Sequence, residues 1–301
     1  MLDYQIVWRG PVMDATGYGT ASRGYALALD RLGLDVKIET YTWNRPYQEA
    51  ESNDKQRLEQ LISKNYDESK KKILIYHAPP SIVHTDEVVD FEHRILNTVW
   101  ETEKLPSYWL PIIDKFDAVC VPCSLNVRAM KNSGVQIPVF LAPHGVDSQR
   151  FSPENKKLTL RGTEGKFVFV SVFDFQQRKN PETLLEAYWK EFKPSDQVVL
   201  VIKTYSDNQS EILEKINNYK KKLGFGDETA PLYVMTGTIE ESQYRGIFNL
   251  GNAFVLPTRG EGVGIPFMEA LSSGTPLIVT GWGGQMDYVN EINSFLVTSV
   301  A

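Results

Sequence analysis

Residues 256–276 read LPTRGEGVGIPFMEALSSGTP and follow directly on the apolar residues AFV. The run AFVL is typical of a short buried strand, which Pro257 ends. The glycines in the following loop permit unusual dihedral angles and a close approach of the backbone to another group. Pro266 suits the first helical position and Gly274 suits a helix end, so the residues between them predict a helix. The segment therefore predicts a strand, a glycine-rich loop and a helix in succession.

Two carboxylates accompany this predicted loop and helix start. Glu261 lies in the loop, and Glu269 is expected in the first helical turn. A helix start presents unpaired N–H groups and a partial positive charge, which together bind anions. Each glutamate alone is explained without a function, Glu269 as a complement to the helix dipole and Glu261 as a solvated loop charge. The pair, combined with the glycines, the proline and the strand, favours a binding site.

The same alternation of strands and helices runs through the whole chain. Apolar runs predict six strands in the first half, including LNTVWE at residues 96–101, and five in the second half. Short runs that are apolar throughout suit strands buried on both faces of a parallel sheet. Helical patterns separate them, among them TASRGYALALDRLGL at residues 20–34. The sequence thus predicts an α/β protein with two doubly wound sheets.

A polar stretch separates the two halves. Residues 152–166 read SPENKKLTLRGTEGK, with one proline and two glycines among charged residues. This composition is typical of a domain boundary. We therefore predict an N-terminal Rossmann-like domain over residues 1–150 and a C-terminal Rossmann-like domain over residues 151–301.

Charge and hydropathy exclude several classes of protein. A formal net charge of −6 leaves no basic excess to neutralise nucleic-acid phosphates, so nucleic acid is not an expected partner. The tracts Lys70–Lys72 and Lys220–Lys222 permit peripheral contact with an anionic membrane, although solvated helix faces explain them more simply. No apolar run is long enough to span a bilayer, and the N-terminus lacks the pattern of a signal peptide. We predict a cytoplasmic protein.

The two cysteines, Cys120 and Cys123, form the motif CVPC. This motif lies between a predicted strand and a predicted helix that Ser124 would cap, which is the local geometry of a reactive thiol. The tryptophan that precedes the redox motif is absent, and the chain is far longer than a redoxin. A buried pair of small apolar side chains is therefore the preferred interpretation.

A second glycine-rich segment, TGYGTASRG, follows the first predicted strand and is similar to a dinucleotide-binding fingerprint. Gly17 and Gly19 supply two glycines, and Glu39 ends the second strand twenty residues after them. Two departures weaken this interpretation. Seven residues separate the first strand from Gly17, and Ser22 stands in place of the third glycine. A plain tight loop is an equal alternative.

The arrangement of Glu261, the glycines and Glu269 resembles the nucleotide-sugar site of retaining glycosyltransferases with the GT-B fold, in particular family 4. Similar family segments are IYHAPPS at residues 75–81, APHGVDSQRFSP at 142–153 and VSVFDFQQRKNPETLLEAY at 170–188. The resemblance implies two Rossmann-like domains facing a cleft, with the acceptor on the N-terminal side and the nucleotide sugar on the C-terminal side. Family members usually continue into a crossover helix beyond the last strand. This chain stops at NSFLVTSVA, so we expect that helix to be missing, through truncation, membership of a larger polypeptide or a different closure of the fold.

The resemblance also implies donor-binding roles in the C-terminal half. Glu261 would hold sugar hydroxyl groups and favour positive charge near the anomeric carbon, while Glu269 would accept hydrogen bonds from the ribose. The loop MTGT, with its glycine, would lie beside the nucleobase. The family's Gly-Arg pair is absent after the strand, so Arg178 would act with Lys179 on the diphosphate. Without the family, this Arg-Lys pair is explained as solvated. The implied donor-binding residues are Arg178, Lys179, Gly237, Gly262, Gly264, Ile265 and Glu269.

In the N-terminal half, IYHAPPS resembles the family's strand-end His-x-Pro segment. This would place His77 at the reacting face, where it contacts the donor sugar or organises the acceptor; a satisfied structural histidine is an equal alternative. Gly17, Tyr18 and Gly19 would lie on the acceptor side. We interpret His144 as a structural residue that orders the turn between the domains by hydrogen bonds.

These features predict a retaining glycosyltransferase that moves a hexose from a nucleotide diphosphate sugar, such as a UDP- or GDP-hexose, to an acceptor. Glu261 and His77 are the expected catalytic residues. No DxD-like metal motif accompanies the site, so we expect neither a metal nor a cofactor. A nucleotide-sugar-binding module without turnover is the first alternative, and a nicotinamide-dependent oxidoreductase is the second. The acceptor stays open between lipid, glycan, small molecule and protein.

Overall fold

The computed structural model describes residues 3–43, 47 and 52–299. The chain divides into two compact units, residues 1–145 and 146–301, and each contains one six-stranded sheet. Both sheets are parallel throughout. Parallel neighbours cannot be joined by a tight turn, so the connections run over the faces of each sheet, mostly as helices.

The first unit has the strand order β2-β1-β3-β4-β5-β6. Its strands are β1 Tyr4–Gly10, β2 Val36–Thr40, β3 Lys71–His77, β4 His93–Asn97, β5 Ala118–Val121 and β6 Val139–Leu141. Its helices are α1 Gly17–Arg31, α2 Asn53–Ser63, α3 Leu110–Ile113 and α4 Ser124–Asn132.

The second unit has the strand order β12-β11-β10-β7-β8-β9. Its strands are β7 Phe167–Val172, β8 Val198–Lys203, β9 Leu232–Met235, β10 Ala253–Leu256, β11 Leu277–Thr280 and β12 Ser294–Val297. Its helices are α5 Pro181–Glu191, α6 Gln209–Lys222, α7 Glu241–Leu250 and α8 Ile265–Ser272.

The first sheet has an apolar core on each face. Val7 and Trp8 are neighbours in β1 and therefore point to opposite faces. Val7 belongs to a cluster that includes Leu74, whereas Trp8 belongs to another that includes Leu27 of α1 and Ile38 of β2. Burial on both faces is the arrangement that apolar strands and an amphipathic α1 predict.

The second sheet is buried most completely at β8, where all six residues are buried. Five of them are aliphatic and join a single cluster with side chains such as Leu185 of α5, Phe248 of α7 and Phe267 of α8. The sixth is Lys203, a cation at the carboxyl end of the strand. The carboxyl ends of parallel strands are where loops form ligand sites in open α/β sheets.

The predicted α/β class with two doubly wound sheets is confirmed. The predicted strand over residues 96–101 is shorter at its end, because β4 stops at Asn97. There the Trp100 N–H donates to Asn126 Oδ1 at 2.9 Å, which removes it from the strand ladder. The polar stretch 152–166 lies within the second unit, since the Leu158 N–H donates to a carbonyl of α7.

Candidate functional site

Gly264 sets the start of helix α8. Its φ angle of +80° is left-handed, and a Cβ atom there would lie 2.4 Å from the Phe267 ring, so the position requires glycine. Helix α8 begins at Ile265, which makes Pro266 its second residue and Glu269 its fifth. The expected place of Glu269 in the first turn is therefore wrong. The left-handed cap starts the helix one residue before the proline.

The backbone ahead of α8 supplies hydrogen-bond donors. Gly262, Val263 and Gly264 are buried and Ile265 is half-buried. Within the described part of the chain, no main-chain or side-chain acceptor engages the N–H groups of these four residues. Consecutive N–H groups at a helix start are the usual protein arrangement for binding phosphate.

Glu261 pairs with both cations that precede helix α5. Its Oε2 accepts a hydrogen bond from Lys179 Nζ at 2.5 Å and lies 3.4 Å from Arg178 Nη1. The same Arg178 nitrogen donates to the carbonyl of Gly260 at 3.1 Å. The Glu261 residue is 7% exposed, so this cluster is not a solvated surface pair. The structure thus brings together three of the residues that sequence assigned to the donor.

Asn180 holds the two cations against the glycine loop. It is the one residue other than glycine with a positive φ, 57°, in the described part of the chain, and it caps helix α5. Asparagine tolerates this left-handed conformation better than most residues. Its Nδ2 donates to the carbonyl of Pro257 at 3.0 Å, and the Arg259 N–H donates to the carbonyl of Arg178 at 2.8 Å. The left-handed backbone therefore explains why an asparagine follows Lys179.

Glu269 lies in a chain of hydroxyl groups. It is 4% exposed and accepts a hydrogen bond from the Tyr244 hydroxyl at 2.7 Å, while the Tyr205 hydroxyl donates to that of Tyr244 at 3.2 Å. Burial raises the pKa of Glu269 from 4.5 to about 7, against the opposing effects of the Tyr244 hydrogen bond and the charge of Arg150. When ionised, this carboxylate can accept hydrogen bonds from a sugar diol.

Lys203 is a functional candidate that the sequence analysis missed. It is 1% exposed, and its Nζ donates to the carbonyls of Thr204 and Gly237 at 2.6 Å each. Burial lowers its pKa to about 8, although Asp174 and Asp207 favour the charged form. The lysine ties the loop containing Gly237 to the end of β8. A single cation closing the apolar run VVLVI is the sequence signal that could have identified it.

His77 is fully buried at the end of β3. Its Nδ1 lies 2.8 Å from Asn97 Oδ1. Its ring stacks on that of Trp8 at 5.5 Å and lies 4.8 Å from that of Tyr18 at a tilt of 55°. Burial, with a smaller contribution from the neighbouring His144, lowers its pKa to about 3. The imidazole is therefore neutral at physiological pH, and its conjugate acid is too strong for an efficient general base.

The predicted acceptor-side residues form the first turn of α1. The helix begins at Gly17, three residues before the predicted helical segment, because the Thr16 hydroxyl accepts a hydrogen bond from the Gly19 N–H. The Tyr18 hydroxyl reaches the end of β4, where it lies 3.3 Å from the carbonyl of Val99. The structure thus connects Tyr18 to His77 and to the strand end beside it.

Asp14 braces this helix start and was also missed. It is fully buried, and its carboxylate accepts hydrogen bonds from the N–H groups of Thr16 at 2.9 Å and Trp43 at 2.8 Å. Burial raises its pKa, but these donors outweigh that effect and hold the pKa below 3.8. The carboxylate is therefore ionised and ties the loop before α1 to the residues that follow β2.

The dinucleotide-binding interpretation is not favoured by this geometry. A Cβ atom at Gly19 would lie 2.0 Å from the carbonyl oxygen of Asp14, so the glycine accommodates the protein's own backbone. Glu39, the candidate ribose ligand, pairs with Arg9 at 2.7 Å and accepts a hydrogen bond from Tyr66. Both features have structural partners that a dinucleotide would have to displace.

Two other sequence interpretations can be compared with the structure. In the described residues, neither ring nitrogen of His144 has a hydrogen-bond partner, so the expectation that it orders a turn by hydrogen bonds is wrong. Its ring packs edge-on against Tyr25 at 5.5 Å instead. Cys123 is buried, and burial raises the pKa of Cys120, which disfavours a reactive thiolate.

Metal-ligand clusters and membrane helices are both absent from residues 3–43, 47 and 52–299. No three or more His, Cys, Asp or Glu side chains there are grouped to hold a metal ion. No helix there has the combination of length and hydropathy needed to cross a membrane.

Known proteins resemble this chain in sequence. Residues 164–301 match the family model described as Glycosyl transferases group 1. The chain is 27% identical over 155 residues to mannosylfructose-phosphate synthase of Agrobacterium fabrum, which covers 48% of this chain and 33% of the relative. It is 26% identical over 239 residues to UDP-Gal:alpha-D-GlcNAc-diphosphoundecaprenol alpha-1,3-galactosyltransferase of Escherichia coli, covering 72% of this chain and 56% of the relative. The chain therefore spans between a third and just over half the length of these relatives.

Solved structures share the fold. Sucrose-phosphate synthase of Thermosynechococcus elongatus superposes with a TM-score of 0.69 at 18% identity, covering 98% of this chain and 86% of that chain. This protein has the same GT-B architecture as that structure, as predicted. The sequence matches and the shared fold together support placing the chain in the superfamily of GT-B glycosyltransferases.

Proposed function

We propose that this chain is a retaining glycosyltransferase that binds a nucleotide diphosphate hexose in its second unit and transfers the hexose to an acceptor. The observation that carries the proposal is the contact of Glu261 with Lys179 and Arg178 beside the unpartnered N–H groups before α8. It combines cations and oriented N–H donors for a diphosphate with a carboxylate for sugar hydroxyls. The name of the E. coli relative includes the UDP-sugar UDP-Gal, which agrees with such a donor.

In the proposed reaction, the bond between the anomeric carbon and the diphosphate oxygen breaks, and its electron pair stays on the diphosphate. The acceptor hydroxyl oxygen forms the new bond on the same face, and its proton passes to the leaving diphosphate. Lys179, Arg178 and the N–H groups of Gly264 and Ile265 stabilise the negative charge that develops there. Their positions are set by the protein in advance, so little reorganisation is needed during bond breaking.

The two carboxylates have different tasks in this proposal. Glu261 accepts hydrogen bonds from sugar hydroxyls and favours positive charge near the anomeric carbon, and Glu269 accepts hydrogen bonds from the ribose. Gly237 lies beside the nucleobase, held by Lys203. His77 is neutral, so we propose that it positions a hydroxyl group and transfers no proton. No step of this scheme requires a metal ion or a cofactor.

A thermal-shift panel of UDP-, GDP- and ADP-hexoses tests the proposal. A ligand that binds only the folded protein raises its melting temperature, by an amount set by ligand concentration over Kd. We expect one of these nucleotide sugars to raise the melting temperature clearly, while NAD and NADP leave it unchanged. Continuous release of free nucleotide after an acceptor is added would indicate an enzyme, whereas a binding module would release none. Stabilisation by NAD and by none of the nucleotide sugars would overturn the proposal.

Donor binding should weaken in acid because of Glu269. Its pKa of about 7 means that the carboxylate form, which accepts hydrogen bonds from the ribose, is lost as the pH falls below neutrality. Well below that pKa, affinity for a nucleotide sugar should fall about tenfold for each pH unit, and above it affinity should level off. Isothermal titration between pH 5 and pH 9 measures this, since the diphosphate diester of a nucleotide sugar does not titrate in that range. A flat profile would remove Glu269 from the binding site.

A further inference from the structure

Tyr288 contacts the glycine loop from behind its backbone. The residue follows the short helical turn Gly284–Asp287, and its side chain is half-buried. Its hydroxyl lies 2.6 Å from the carbonyl oxygen of Val263 and 3.0 Å from that of Gly264. One hydroxyl therefore contacts two successive carbonyls immediately before helix α8.

This contact orients the N–H groups on the other side of the same peptide bonds. In a trans peptide the C=O and N–H bonds point in opposite directions. The carbonyl of Val263 shares its peptide plane with the N–H of Gly264, and the carbonyl of Gly264 shares its plane with the N–H of Ile265. With both carbonyls directed at Tyr288, the two N–H groups must point away from it.

The two carbonyls differ in how far they depend on Tyr288. The Gly264 carbonyl also accepts the Phe267 N–H at 2.8 Å, so the helix helps to hold it. Among the residues that the structure describes, Tyr288 is the sole hydrogen-bond donor to the Val263 carbonyl. Gly262 and Gly264 flank Val263 and lack side chains that would restrict rotation. The orientation of the peptide plane between Val263 and Gly264 therefore depends most on the hydrogen bond from Tyr288.

We propose that Tyr288 is a positioning residue for diphosphate binding, which it serves by aiming the N–H groups of Gly264 and Ile265 at the β-phosphate of the donor. The inference rests on the proposed function, because it takes those N–H groups as the diphosphate site. Tyr288 itself touches neither phosphate nor sugar. Its hydroxyl acts through the peptide planes alone.

The test compares affinities for nucleoside diphosphates and monophosphates. Isothermal titration of the wild-type protein with UDP, GDP, ADP and the matching monophosphates identifies the preferred base. In Tyr288→Phe, affinity for the preferred diphosphate should fall about tenfold while affinity for its monophosphate is nearly unchanged, because the ring is kept and only the brace is lost. The preference for diphosphate over monophosphate thus falls by the same factor.

Tyr188→Phe is the matched control. The Tyr188 hydroxyl is also in the second unit and donates to a backbone carbonyl, that of Pro231, at 2.7 Å. Its removal deletes an equivalent hydrogen bond from α5 and should leave the diphosphate preference unchanged. If Tyr288→Phe does not fold, Tyr288→Leu, which also removes the hydroxyl donor and keeps an apolar side chain, carries the same comparison.

Three outcomes can be told apart. If the wild-type protein binds none of these nucleotides, the proposed function itself is wrong. If the wild-type protein binds these nucleotides and the Tyr288 variant keeps the same diphosphate preference, only the inference about Tyr288 is overturned. A loss of preference confined to the Tyr288 variant, at comparable melting temperatures of the two phenylalanine variants, supports it.

Discussion

Replacing Glu269 with glutamine is expected to weaken nucleotide-sugar binding by roughly 100-fold, the loss associated with about 2–3 kcal/mol of charge-assisted hydrogen bonding. The amide keeps the shape of the side chain and can still accept the Tyr244 hydroxyl, which now bonds Oε2 at 2.7 Å. It cannot offer two negatively charged oxygens to a ribose diol. Isothermal titration at pH 8, where the wild-type carboxyl is ionised, measures the difference.

The same substitution should leave the fold intact, which makes the binding loss interpretable. Because the pKa of Glu269 in the folded protein is raised above its unfolded value, keeping the carboxylate ionised costs stability as the pH rises through about 7. A neutral amide removes that cost, so the unliganded variant should melt no lower than the wild type at pH 8. Glu182→Gln, which alters the pair of this half-buried glutamate with the exposed Lys222, is the matched control and should bind normally. Unchanged affinity in Glu269→Gln would refute the ribose assignment.

Replacing Lys179 with methionine is expected to reduce kcat by a factor on the order of 10²–10³, the usual effect of removing one group that stabilises developing negative charge. Methionine keeps much of the aliphatic length and removes the ammonium group that contacts Glu261 at 2.5 Å. The loss should appear mainly in kcat, because charge on the leaving diphosphate increases in the transition state. Steady-state release of nucleotide from the donor identified by the thermal-shift panel measures it.

Lys190→Met is the matched control for this prediction. Lys190 lies in helix α5 and pairs with Glu186 at 2.5 Å on the surface, so its loss should leave kcat unchanged. Lys179→Met leaves Glu261 with Arg178 as its remaining cation at 3.4 Å, and Lys179→Met with Glu261→Gln restores the charge balance. A single variant with wild-type kcat would exclude Lys179 from stabilisation of the leaving group.

The sequence was sufficient to predict those parts of the structure that depend on residues close together along the chain. Strands β7 to β11 follow apolar runs, because burial on both faces requires apolar residues at successive positions. The family resemblance of two segments predicted that Glu261 and Lys179 belong to one donor site, although spacing along the chain cannot bring residues 82 positions apart together. Their direct contact was not predicted. Helix starts were less accurate, as at Gly17 and Ile265, because a threonine or glycine cap adds residues that helical periodicity does not include.

The residues that support the candidate site could not be predicted from the sequence, because their partners lie far away along the chain. Tyr244, Tyr288 and Lys203 act on Glu269, the Val263 carbonyl and Gly237, which are 25, 25 and 34 positions away. Each contact is made across neighbouring elements of a folded sheet, and a tyrosine or lysine has no local pattern that marks its partner. Such residues follow only from the packing of α7, α8 and the strand ends.

Under the proposed function, we expect the contact between Glu261 and Lys179 to determine which anions bind at this site. An inorganic phosphate that approaches Lys179 competes with a carboxylate tethered to the same chain, whose effective concentration is on the order of millimolar or higher. Displacing Glu261 from Lys179 becomes favourable for a molecule that binds Lys179 through a phosphate and also donates hydrogen bonds from its hydroxyl groups to the released Glu261. Under the proposed function, we therefore expect the protein to select for two chemical groups at a fixed separation within one molecule, and free anions of the cell meet only half of that requirement.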